Sequence, residues 1–160
     1  GSVHFVGDFQ VDDKPEDWAA ITESRRNQIW RGYWACVRDM ARSGLFDIAG
    51  HLDLPKKFGF RPTVDLTEEI QAALMAVIQS GMAIEINTSG FFLPAKEMYP
   101  SPKLLAMAKE FAVPIVINAD AHEPEHLTRG FAEARSLAKK MGFTHSVAFD
   151  RRMKTPVPLP

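Results

Sequence analysis

Asp120-Ala121-His122 follows a short apolar run, Pro114-Ile115-Val116-Ile117-Asn118-Ala119. A β-branched run of this length is the pattern of a strand buried on both faces. In an extended chain, residues i and i+2 point the same way. The spacing therefore predicts a carboxylate and an imidazole leaving one side of a strand end. A strand end that presents these two donors together is a candidate metal corner. The competing role is ordinary: Asp120 caps the next helix and His122 is a surface loop residue. The pair alone does not choose between the two.

Other strand ends add to it. His51 directly follows the run Leu45–Gly50, Glu85 and Asn87 close Met82–Asn87, and His4 sits between Val3 and Phe5. Helix caps call for Asp, Asn, Ser or Thr, not for repeated histidine. Each residue also has a plain structural role. His4 in an apolar strand is ordinarily a hydrogen-bonded core histidine, His51 a loop residue, and Glu85 a buried acid paired with a base. Lys56-Lys57 is ordinarily a solvated pair, although a lysine beside a metal site binds phosphate. Trp18, Trp30 and Trp34 read as packing, and His126 and His145 are unassigned. No glycine-rich nucleotide loop or Ser or Cys nucleophile motif occurs.

The elements that must position these residues alternate. Strand candidates are Val3–Val6, Leu45–Gly50, Met82–Asn87, Pro114–His122 and Phe143–Phe149. Between them, Glu16–Arg42, a segment opened by Asp65-Leu66-Thr67-Glu68, a segment opened by Ser101-Pro102, and Pro124–Lys140 read as helices. Ile29, Tyr33, Val37 and Met40 or Ala41 form an apolar face in the first, and Ile70, Leu74, Val77 and Ile78 in the second. The first is stopped by Ser43-Gly44. Asp65 to Glu68 resembles a capping box, and Ser-Pro is a cap followed by proline at the first helical position. The proline-rich tail Thr155–Pro160 fits neither helix nor central strand. Such alternation predicts an α/β fold, with parallel strands joined by helical crossovers and chemistry at the C-terminal strand ends.

At 160 residues, 46% hydrophobic and 24% charged, the chain has the composition of one domain with its own core. A net charge of -1 predicts no nucleic-acid partner. No apolar run approaches the ~20 residues of a membrane span. The one cysteine, Cys36, allows no internal disulfide and agrees with a reducing, cytoplasmic setting.

Together the motifs resemble the PHP (polymerase and histidinol phosphatase) superfamily, and within it the histidinol-phosphatase branch. They are Gly1-Ser2-Val3-His4-Phe5-Val6-Gly7-Asp8, Gly50-His51-Leu52-Asp53-Leu54, Glu85-Ile86-Asn87-Thr88-Ser89-Gly90, Met98-Tyr99-Pro100-Ser101-Pro102 and Asn118-Ala119-Asp120-Ala121-His122. The resemblance implies a distorted (β/α)7 barrel with two or three zinc, iron or manganese ions at its strand ends. It implies hydrolysis of L-histidinol phosphate in histidine biosynthesis. By motif, His4, His51, Asp120 and His122 fall on metal-ligand positions. Asp120 and His122 are also the catalytic candidates, with Asp120 bridging or orienting the attacking water. Glu85 falls behind the ligands, and Asn87, Ser89 and Lys57 are candidates for phosphate or alcohol contacts.

The chain departs from the pattern twice. The opening strand with His-x-His and its further ligands is absent, so the resemblance makes this a C-terminal portion, a partial barrel. The loop after Ser89-Gly90 commonly carries Arg or Lys, but here reads Phe91-Phe92-Leu93. One mononuclear site is then the expectation for these residues, with weak activity for the isolated chain and association through open barrel edges. Two alternatives accompany this reading. One is a phosphoesterase of the superfamily acting on another phosphoester or a nucleotide. The other is an inactive fragment or non-catalytic metal-binding module.

Overall fold

The computed structural model describes residues 1–160. In chain order the elements are β1 (Phe5–Val6), β2 (Phe9–Gln10), α1 (Pro15–Ala20), α2 (Glu23–Arg42), β3 (Ile48–Ala49), α3 (Thr67–Gln79), β4 (Ala83–Asn87), α4 (Pro102–Glu110), β5 (Ile115–Asn118), α5 (Phe131–Lys140), β6 (His145–Asp150) and β7 (Met153–Pro158). The central sheet is parallel, in the order β3-β4-β5, with α3 and α4 as crossovers. All five residues of β4 are buried, as expected for a strand covered on both faces. Asn87 pairs with Asn118, so β4 and β5 end at the same level. The loops that follow them emerge side by side.

The helices bury the faces their spacing predicts. Ile29, Tyr33, Val37 and Ala41 of α2, Leu74 and Val77 of α3, and Leu104, Leu105 and Ala108 of α4 lie in one core with Trp18, Trp30 and Trp34. The capping box expected from Asp65 and Glu68 does not form: the N-cap of α3 is Leu66, and Asp65 Oδ1 accepts from the Thr67 backbone N–H at 3.0 Å in the turn just before the helix, whereas Ser101 Oγ caps α4 through Leu104 N–H at 3.4 Å.

Several boundaries differ from expectation. Glu16–Arg42 is two helices: Ile21 and Thr22 are extended, and Thr22 Oγ1 caps α2 by accepting from Arg25 N–H. The first strand is not in the parallel sheet. Gly7, at φ +58°, turns it back into the β1–β2 hairpin. Leu45–Gly50 shortens to Ile48–Ala49. Pro124–Lys140 is not one helix. A short 3-10 turn, Pro124–His126, is separated from α5 by Gly130 at φ +77°. The last strand pairs antiparallel with the tail through a turn whose central residues, Arg151 and Arg152, both have positive φ, as a type I′ hairpin requires. Pro156 and Pro158 thus sit in a two-stranded ribbon, where a missing N–H is tolerated. The parallel crossover units are present, flanked by two hairpins, so the parallel strands number three. No helix is long and apolar enough to cross a membrane.

Candidate functional site

A cavity of about 630 Å³ opens where the parallel strands end, and His4, His51, Lys57, Ser89, Asp120 and His122 all line it. Six of the eight residues singled out in the sequence therefore share one wall. Glu85 and Asn87 are buried and are not among the cavity-lining residues.

Glu85 acts as an anchor. Its Oε2 accepts from the His51 backbone N–H at 2.8 Å and from Asn87 Nδ2 at 3.0 Å, and its Oε1 accepts from Asn118 Nδ2 at 2.8 Å. One carboxylate thus ties β4 to β5 and to the residue after β3. Asn87 passes the order on. Its Oδ1 accepts from Ser89 N–H at 2.9 Å and from Ser89 Oγ at 2.7 Å, and Ser89 Oγ lies 3.4 Å from Asp120 Oδ2. Asn87 is thereby fully engaged inside the protein rather than offered to a ligand.

His51 is held under strain. Its φ is +26° and that of Asp120 is +53°, a region costly for residues with a Cβ. The Glu85 bond to its N–H and a 3.4 Å contact from Tyr33 OH to its carbonyl hold His51 there. Its Nδ1 is buried without a partner. Burial pulls its imidazole below the ordinary value, opposed by Glu85 and reinforced by His4, whose ring centre is 5.0 Å away.

His4 and His122 share a different arrangement. His4 Nδ1 lies 3.0 Å from Asp12 Oδ2, and His122 Nδ1 lies 2.9 Å from the Asp120 carbonyl. A carbonyl can only accept, so His122 carries its proton on Nδ1, and a carboxylate favours the same tautomer in His4. In each neutral ring Nε2 keeps its lone pair. An Nδ1–H bonded to an oxygen acceptor is the usual support of a metal-ligating histidine. Asp120-Ala121-His122 does not reach the cavity by strand alternation. The strand ends at Asn118, and the left-handed turn at Asp120 directs the pair.

Sequence reasoning assigned no site role to five polar residues of the cavity wall: Ser2, Asp12, Tyr99, His126 and Arg129. Asp12 arrives through the β1–β2 hairpin and leaves Oδ1 buried and unpartnered. The Asp-rich loop was its only signal. The Lys56-Lys57 pair is not solvated as a pair. Lys56 is fully buried, while Lys57 reaches the cavity and donates to the Asp12 carbonyl at 2.7 Å. Nowhere does the chain gather three His, Cys, Asp or Glu side chains closely enough to share one ion. In kind the donors suit a cation: two unpartnered buried polar atoms, His51 Nδ1 and Asp12 Oδ1, stand with two tautomer-fixed histidines on one wall.

No family model matches the chain. A probable histidinol-phosphatase of Deinococcus radiodurans is 39% identical over 158 residues, which is 98% of this chain and 58% of the relative. The chain is similar to histidinol-phosphatases. One from Schizosaccharomyces pombe, also named probable, is 28% identical over 90% of this chain and half of its own length. The crystal structure of histidinol phosphate phosphatase from Lactococcus lactis, complexed with zinc, L-histidinol and phosphate, superposes with a TM-score of 0.76 at 26% identity. That match covers 96% of this chain and 60% of the Lactococcus protein. The chain thus spans about half to three-fifths of the length of these relatives.

Proposed function

We propose that this chain is part of a metal-dependent phosphomonoester hydrolase acting on L-histidinol phosphate, a single domain built as part of a (β/α)7 barrel of the PHP superfamily. One observation carries the reading: His4, His51 and the Asp120–His122 pair, from three separate segments, line one cavity at the strand ends. The similarity to histidinol-phosphatases supports it, as does the Lactococcus structure with its zinc, L-histidinol and phosphate.

His4, His51, Asp120 and His122 would hold the metal, with Asp12 joining them as an oxygen donor. A divalent ion, whether zinc, manganese or iron, would neutralise phosphoryl charge and acidify a water. The protein's own groups do the rest. Asp120 accepts a proton from the attacking water and orients it. Ser89, set by Asn87, and Lys57 contact the phosphate or the alcohol. Glu85 fixes the His51 backbone and positions the ring without touching substrate. The Lactococcus structure with L-histidinol and phosphate supports a small phosphorylated substrate, the net charge of -1 argues against a nucleic-acid partner, and the single free Cys36 agrees with a reducing, cytoplasmic site of action. β5 ends the hydrogen-bonded parallel sheet with β6 packed beside it but not paired to it, and an unpaired strand edge supports self-association, which sedimentation would detect.

The test is turnover of L-histidinol phosphate, p-nitrophenyl phosphate and nucleoside monophosphates with zinc or manganese. Preference for histidinol phosphate, lost in His122→Ala, supports the reading, and preference for a nucleotide contradicts the substrate. One observation favours a non-catalytic reading of the isolated chain: no three donors stand at coordination distance. Stoichiometric metal binding without turnover is the outcome it requires.

A further inference from the structure

Lysine and arginine contribute one side chain each to the cavity wall, Lys57 and Arg129. They are employed differently. Lys57 already donates to the Asp12 carbonyl. Arg129 has no carboxylate partner, and its Nε is buried with no acceptor. Its guanidinium carbon lies 4.1 Å from the centre of the Phe92 ring, a stacked position that orients the planar group without using its N–H donors.

The backbone beneath is locked as well. Thr88 Oγ1 donates to the Arg129 carbonyl at 2.5 Å. Gly130 follows at φ +77°, and a Cβ there would lie 2.9 Å from Thr88 Cβ. This contact, made possible by the glycine, breaks the expected helix and brings Arg129 to the cavity wall. Arg129 is therefore tied to the loop after β4 twice, through its backbone by Thr88 and through its side chain by Phe92. That loop, Phe91-Phe92-Leu93, is where the sequence lacks a basic residue.

We propose that Arg129, propped on Phe92, is a phosphate-binding cation of the cavity, contributed by the loop after β5. Its unused N–H donors take the non-bridging oxygens of a phosphomonoester, a bidentate role that a lysine fills only as a point charge. This rests on the phosphatase reading of the cavity.

Calorimetric titration of the full chain with zinc, then with inorganic phosphate and separately with L-histidinol, tests it. Arg129→Met is expected to weaken phosphate binding about ten-fold or more, with zinc and L-histidinol binding unchanged. Arg129→Lys should recover part of the loss, and Phe92→Leu, which keeps the charge, should lose less than Arg129→Met. Phosphate affinity unchanged in Arg129→Met overturns the proposal and leaves the phosphatase reading standing. So does equal loss of zinc, phosphate and histidinol binding in both Arg129 variants, which would mark a merely structural residue. A wild-type chain that binds neither zinc nor phosphate overturns the phosphatase reading, and this proposal with it.

Discussion

Lys56 and Lys57 are adjacent in sequence and belong to opposite kinds of polar region. Lys56 is fully buried and satisfied: its Nζ lies 3.1 Å from both Asp53 carboxylate oxygens, 3.1 Å from Glu97 Oε2 and 2.7 Å from the Met98 carbonyl. Asp53 in turn accepts from Ser101 N–H at 2.9 Å at the start of α4. Lys57, one residue on, faces a cavity where His51 Nδ1, Asp12 Oδ1 and Arg129 Nε have no partner. Burying polar groups is costly unless they are paired, so a network in which only Asp53 Oδ1 lacks a hydrogen bond, and is ion-paired to Lys56 instead, serves the fold. Unpaired groups gathered on one wall, with strained backbone at His51 and Asp120, mark the place where a ligand completes the pairing.

The contrast can be broken, starting from its largest expected effect. Lys56→Met leaves Asp53 buried without its counter-ion and should cost about 3–5 kcal/mol, read by urea unfolding. A variant of normal stability would show that the closed network is not structural. Glu85→Gln changes a site that receives three N–H donors and should cost about 1–3 kcal/mol, together with weaker zinc binding as His51 loses its anchor. Gly130→Ala forces a Cβ toward Thr88 at positive φ and should cost about 1–2 kcal/mol, while weakening phosphate binding through Arg129. His122→Ala lies on the open side. Its unfolding free energy should stay within about 0.5 kcal/mol of wild type while zinc binding falls. A large loss of stability there would erase the distinction between the two regions.

Acid sharpens the same contrast. Burial holds the folded His51 imidazole below its ordinary value of 6.5. Below that pH the unfolded chain takes up a proton that the folded chain refuses. His51 thus favours the folded state fully above pH 6.5, and the advantage drains away as pH falls from there through the lowered folded value. His51→Gln should flatten that limb of the stability profile, measured by thermal melting across pH 5 to 8.

Much of this was legible in the sequence. β4 and β5 announce themselves as buried β-branched runs, and the Asp65 and Ser101-Pro102 starts mark α3 and α4. His51, Asp120 and His122 stood out because a strand-end position is a local property of the pattern, while His4 stood out as an imidazole inside an apolar run and through the motif resemblance. What stayed hidden depends on distant contacts. Nothing in Pro55-Lys56-Lys57-Phe58 distinguishes the buried lysine, since two of its acceptors lie near residue 97. Asp12 reaches the cavity only because Gly7 reverses the first strand. Arg129 reaches it because Gly130 interrupts what reads as one helix, and the contact with Thr88 that favours the break is some forty residues away in sequence. The Asp120–His122 pair lines the cavity, but a left-handed turn, not strand alternation, sets its direction.

The most direct test of the central claim is a zinc titration of the purified chain by calorimetry, repeated on His4→Ala, His51→Ala, Asp120→Asn and His122→Ala with folding checked by circular dichroism. The account predicts saturable zinc binding in the wild type that each folded variant loses or weakens. Zinc binding that is absent in the wild type, or undiminished in all four folded variants, would contradict it.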